Sequence, residues 1–166
     1  VNTITGNTIH DNYQEGIYLS VAADPGSLVA SNRVYANTGN GMYVDTYVTS
    51  GTTIVENNQS YGNAGHGIYG LTRTIVRNNQ VWSNGQAGVA LDASATADSN
   101  TAYNNRYGVI SGNNGSGTIR NNRVYNNSEY GIYGLNDTLI EGNTSYNNAT
   151  GIGAFIFNTN SVDVVN

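Results

Sequence analysis

Few residues in this chain are of types that do chemistry. Its 166 residues include two His, no Cys and six basic residues, all of them Arg. The ones that could act together recur at one position, just before a glycine: Glu15, His66, Tyr107 and, one residue earlier, Arg106. A histidine or tyrosine can take or give a proton, and an arginine can neutralise a carboxylate beside the carbon that loses one. Glu15, His66, Arg106 and Tyr107 are therefore the candidate catalytic residues. A second set is suited to binding. Tyr35, Tyr61, Trp82, Tyr103, Tyr125 and Tyr146 recur three residues after an asparagine, with His10 opening the series. A shorter series, Tyr18, Tyr43, Tyr69 and Tyr133, is interrupted by Ala90, Ile110 and Gly153. Asp45 and Tyr47 lie in one of the longer connecting loops, as Asp24 and Pro25 do in another. The two Asp lack the Asp-x-Asp spacing of a calcium loop, so no metal site is expected and no cofactor motif is present.

These residues are positioned by a repeat. One asparagine column is Asn7, Asn32, Asn58, Asn79, Asn100, Asn122 and Asn143, and a second follows five residues later, from Asn12 to Asn148, without a gap. A third column is all glycine: Gly16, Gly41, Gly67, Gly88, Gly108, Gly131 and Gly151. The asparagine spacings are 21–26 residues. That length suits one turn of a three-sided coil with three short strands, and apolar residues alternate with polar or aromatic ones inside it. The fold class expected is all-β: a single-stranded right-handed parallel β-helix of about seven coils, forming one domain over 1–166. Ile4, Val29, Val55, Val76, Ala97, Ile119 and Ile140 should point inward, each coil resting on the next. The inward asparagines should accept from one coil and donate to the next, and should tolerate left-handed backbone angles; glycine should turn a third corner in the same way. Glu56, Arg77, Asp98, Arg120 and Glu141 alternate in sign up one column, a charge ladder that sets register. The loops Ser20–Ser27, Asp45–Thr53 and Ser111–Gly117 leave at one corner, where a solenoid carries its insertions.

Composition excludes other classes. The formal net charge is -5 and only 10% of residues are charged, so nucleic acid is not a partner. No apolar run approaches the length of a membrane span. The absence of Cys fits an exposed, extracellular or cell-surface setting, with the periplasm as the other compartment.

The unit Asn7–Leu19 resembles the repeats of right-handed parallel β-helix proteins of the NosD-like, pectate-lyase-like and mannuronan C5-epimerase-like kinds. Asn57–Ile68 is similar to an epimerase coil, with His66 at its histidine and Gly65 where its arginine is expected. The catalytic Asp-Pro-His of that family is absent, since Asp24-Pro25 continues with Gly26. The first functional expectation is a non-catalytic extracellular scaffold, a surface, fibre or adhesin element. Polysaccharide would contact its tyrosine stripes, and open strand ends would let copies stack head to tail. The second is a lyase or C5-epimerase acting on uronate polymers at the His66 edge. The third is a carbohydrate-binding module.

Overall fold

The computed structural model describes residues 1–22, 26–47, 50–92, 94–112, 117–157 and 161–165. Asp24 and Pro25 lie outside them. The described residues contain strands and no helix. They form three parallel sheets, of eight, seven and seven strands, in which every neighbour is the strand one coil away. The first coil supplies Thr3–Thr5 to the first sheet, Thr8–His10 to the second and Ile17–Val21 to the third. Later coils repeat this to give the expected β-solenoid of about seven turns. Its core holds the predicted Val29, Val55, Val76, Ala97 and Ile119 of the first sheet, together with Val34, Val81 and Val124 from the second and Met42, Ile68, Val89, Val109 and Ile132 from the third, all fully buried.

Two corners are made the same way. One residue takes a left-handed conformation and the next turns its side chain inward. At the first corner the left-handed residues are Gly6, Ser31, Asn57, Asn78, Ser99, Asn121 and Gly142; at the second they are Asp11, Ala36, Gly62, Ser83, Asn104, Asn126 and Asn147. The ladder asparagine is the residue after each of these, so the tolerance expected of the ladder itself belongs to its predecessor. From the second coil on, each ladder Oδ1 accepts twice from the coil below: Asn100 Oδ1 takes the Asn79 backbone N–H and Nδ2, both at 3.0 Å. Asn100 Nδ2 then donates up to Asn122 Oδ1 at 3.0 Å and down to the Val76 carbonyl at 2.8 Å. One side chain thus ties three coils together.

The third glycine column is not a left-handed corner. None of its members has a positive φ. The requirement is space: a Cβ on Gly88 would stand 2.8 Å from Asn105 Nδ2 and 2.8 Å from the Gly108 carbonyl oxygen. Glycine lets the chain pass against the asparagine ladder of the next coil.

The charge column stacks in the predicted register, Glu56 beside Arg77, Arg77 beside Asp98, Asp98 beside Arg120 and Arg120 beside Glu141. Each Arg bonds one carboxylate rather than two: Arg77 to Glu56 at 2.7 Å and Arg120 to Asp98 at 2.9 Å. The other Asp98 oxygen is taken by Ser99 at 2.8 Å and Asn121 at 3.1 Å, which leaves it no valence for Arg77.

Removing one central ladder side chain should be severe. Asn100→Ala leaves the Asn79 N–H and the Val76 carbonyl buried without partners, an expected loss of about 3 kcal/mol in denaturant unfolding. Asn100→Asp should be destabilised more at pH 7 than at pH 4, because a charged carboxylate would face Asn122 Oδ1 and the Val76 oxygen. Reversing Arg77→Glu places three carboxylates in succession and should cost about 1 kcal/mol, less in high salt, by the same measurement.

Candidate functional site

The outer face of the third sheet and the edge where the chain enters it hold the candidate catalytic residues. At that edge the chain needs hydrogen-bond acceptors outside the sheet, and side chains supply them. Asn40 Nδ2 donates to Glu15 Oε1 at 3.3 Å. Asn40 Oδ1 accepts the His66 backbone N–H at 2.8 Å, and His66 Nδ1 accepts the Ala87 N–H at 3.2 Å. Glu15, Asn40, His66 and Ala87 are therefore successive rungs of a third polar ladder. Burial holds the His66 imidazole at about 4, well below its ordinary 6.5. With Nδ1 occupied as an acceptor, the neutral ring carries its proton on Nε2. The lone pair a general base would use is bonded to the backbone.

Arg106 and Tyr107 form a separate group. Arg106 Nε bonds Glu129 Oε1 at 2.6 Å, and its guanidinium lies 5.1 Å from the Tyr107 ring centre. The Tyr107 hydroxyl also donates to Glu129, which raises the tyrosine's proton affinity and, with Arg106, holds the carboxylate below its usual range. In the sheet Tyr107 is in register with Ala87 on one side and Tyr130 on the other. It stands two coils from His66, about 10 Å away. The structure brings Glu15 and His66 onto one ladder and Arg106 and Tyr107 onto a glutamate, and it does not bring the two groups together.

The long aromatic series is a continuous stack on the second sheet. His10, Tyr35, Tyr61, Trp82, Tyr103, Tyr125 and Tyr146 follow one another at 4.3–5.8 Å between ring centres, within 13° of parallel. The ring faces cover one another, so the solvent meets edges and hydroxyls. Arg33 and Arg123 cap two of these pairs, donating to the Tyr61 and Tyr146 hydroxyls at 2.7 and 2.5 Å.

The shorter series on the third sheet is more open. Tyr18 stacks on Tyr43 at 5.2 Å and is 65% exposed, while Tyr69 meets Tyr43 edge-on at 5.4 Å. Asp45, from the loop set, is 3% exposed and accepts from the Tyr47 hydroxyl, which is pushed up to about 12 by that bond; Tyr47 itself is 70% exposed. Burial, then Asp45 and Asp92, raise Tyr43 and Tyr69, so this part of the face is acidic as well as aromatic. Beyond Ala90 and Ile110 a second aromatic group gathers Tyr107, Tyr130, Tyr133 and Phe155. Phe155 and Glu129 were not among the expected site residues: Glu129 shares the column of Arg106, whose residue types vary from coil to coil, and Phe155 pairs with Leu135 in the coil before it.

Metal binding has little to build on. Among the described residues no three His, Cys, Asp or Glu converge. The chain has no Cys, and its one Met, Met42, is fully buried in the core.

The family described as "Right handed beta helix region" matches residues 1–101, and that described as "Periplasmic copper-binding protein (NosD)" matches residues 73–166. Among solved structures the chain is similar to a mutant of the periplasmic alginate epimerase AlgG, with TM-score 0.79 and 20% identity over 98% of this chain and 44% of that one. It is similar to the A-module of a mannuronan C-5 epimerase from Azotobacter vinelandii, with TM-score 0.73 and 19% identity over 98% and 57%. Pectate lyase Pel9A gives TM-score 0.62 and 13% identity over 97% and 54%. The chain thus spans about half the length of these proteins, and at such identities the likeness is one of fold. No curated protein matches the sequence.

The His66 proton balance is measurable. Folding lowers the ring's proton affinity, so the unfolded chain takes the proton first as pH falls. The ring's contribution should be complete above pH 6.5 and lost as pH falls toward about 4, a span worth up to about 3 kcal/mol. Denaturation of the protein and of His66→Gln at pH 7 and pH 4.5 should show a smaller pH dependence in the variant. Nitrogen-15 spectra of the ring should show Nε2–H.

Proposed function

We propose, on the premise that the chain belongs to the right-handed β-helix and NosD families, that it is a non-catalytic scaffold acting outside the cytoplasm, at the cell surface or in the periplasm, with a polysaccharide held against its third sheet. The observation that carries this reading is the use made of His66. Its Nδ1 is bonded to the Ala87 amide, its proton affinity is low, and the arginine and tyrosine that would complete a proton-transfer set are bound to Glu129 two and three coils away. The open tyrosines are the binding element. Tyr18, 65% exposed and backed by Tyr43 on one side only, offers ring surface for the C–H face of a sugar, and the Tyr133–Phe155 pair offers an aromatic patch at the far end. The carboxylates of Asp45 and Glu15 act on Tyr43 in the first of these patches, and their negative charge favours neutral or amino sugars there over uronates.

The name of the NosD family refers to copper. Copper sites draw on thiolate, thioether and imidazole donors that converge on one point. Here Met42 is sealed in the core, Cys is absent, and His10 and His66 sit on different faces two coils apart. The residues of this chain do not fit copper.

A second reading, a uronate lyase or epimerase, is favoured by the names of the solved structures of the same fold. Incubation with alginate and pectin separates the two. The scaffold reading expects no unsaturated products and no change in uronate composition, together with retention on an insoluble neutral glycan that falls at least about tenfold in Tyr18→Ala/Tyr43→Ala. Turnover of either polymer that is lost in His66→Ala would overturn it.

A further inference from the structure

The connection from the third sheet to the first is where the coils differ in length, and one of these connections leaves a hollow. Coil three closes tightly: Gly70 ends one strand, Thr74 begins the next, and the Thr74 N–H bonds the Leu71 carbonyl at 3.0 Å. Its neighbours close with longer segments, from Thr46 to Thr53 and from Leu91 to Thr96. The hollow lies at this tight turn. The depression has a volume of about 310 Å³ and is lined by Thr52, Arg73, Ile75, Ser94 and Thr96.

Arg73 stands apart from the other arginines. Arg33 and Arg123 bond tyrosine hydroxyls, and Arg77, Arg106 and Arg120 bond carboxylates. The Arg73 guanidinium has no hydrogen-bond or ion-pair partner among the described residues. Its backbone is left-handed, at φ 56°, a conformation this chain otherwise gives to Gly, Asn, Asp, Ser and one Ala. Coil six makes the same Leu-x-x-Thr turn at Leu135–Thr138 and places Asp137 at the equivalent position, φ 50°. There the side chain has a structural partner, since Asp137 Oδ1 accepts the Ser161 N–H at 3.2 Å. In coil three a long cation occupies a position that favours a short side chain, and nothing described in the fold uses its charge.

We propose that this depression is an oxyanion site for the acidic group of a glycan, a carboxylate, sulfate or phosphate ester. The Arg73 fork meets two of the oxyanion's oxygens, the hydroxyls of Thr52, Ser94 and Thr96 supply neutral donors, and Ile75 lies under the apolar face of the sugar. Asp92, two residues before Ser94, acts on Tyr69 on the third-sheet side of the corner. The site is on a different flank from the tyrosine face, and either can fail without the other.

Titration of the isotope-labelled protein with inorganic sulfate, inorganic phosphate and glucuronate tests it, with chloride and glucose as controls at constant ionic strength. The expected result is a saturable shift of the Arg73 Nε–H and of the Thr52, Ser94 and Thr96 amides, half-complete at about 1–10 mM. Glucuronate and the inorganic ions then distinguish a carboxylate from a tetrahedral ligand. Arg73→Asn suits the left-handed turn as Asn57 and Asn78 suit theirs, so it should melt no lower than the parent and lose the response at least about tenfold. No saturable shift with any of the three anions, an equal shift with chloride, or an undiminished shift in Arg73→Asn would overturn the proposal.

Discussion

Everything in this rod depends on how buried amide groups are satisfied at its corners. A strand satisfies its backbone by pairing with the coils above and below, but a corner breaks that pairing inside the core, where an unmatched N–H or carbonyl is costly. The inward asparagine resolves both ends of the problem. Its oxygen takes the amide of the asparagine below, and its nitrogen reaches the carbonyl of an inward residue such as Val76 or Ile119. Some of these asparagines also bond a carbonyl two residues back in their own coil, but the bonds that continue the ladder run between coils, so each coil depends on its neighbours. The glycine column follows from the same constraint, since a wider residue would displace the asparagine nitrogen it passes.

The same logic converts residues that look chemical into structural ones. Where the chain enters the third sheet, Asn40 and His66 do for the His66 and Ala87 amides what the asparagine ladders do inside. Arg77 and Arg120 are held by neighbouring carboxylates, and Arg33 and Arg123 by the tyrosine stack. A solenoid places every residue of a column beside its equivalents, so a polar side chain finds its nearest partner one coil away before it finds a ligand.

The period made most of this fold legible in the sequence. The two asparagine columns, the inward aliphatics and the alternating charges are one-dimensional patterns, and stacking maps them directly onto vertical neighbours. What stayed hidden depends on atoms rather than residue types. The spacing of Gly88 is the same whether glycine is needed for its φ or for its missing Cβ. The left-handed residue before each ladder asparagine is variable, Ser31 in one coil and Ala36 at another corner, so no single type marks it. The type and spacing of His66 suggested a base, and only the Ala87 amide on Nδ1 shows that its lone pair is committed.

A column is strong evidence for structure because stacking itself demands it, and for that reason it is weak evidence for function. A ligand spanning one or two coils asks for particular residues at those coils and leaves the others free. Departures from the repeat should therefore be the more informative positions. Asp137 and Arg73 occupy the same turn three coils apart, and the first is absorbed by the Ser161 amide while the second is not. Tyr43, Asp45 and Tyr47 occur together in coil two, where the strand runs into a longer loop, and no other coil has all three. Departures of this kind concentrate at the corner between the third and first sheets, which is free to vary because it carries neither asparagine ladder.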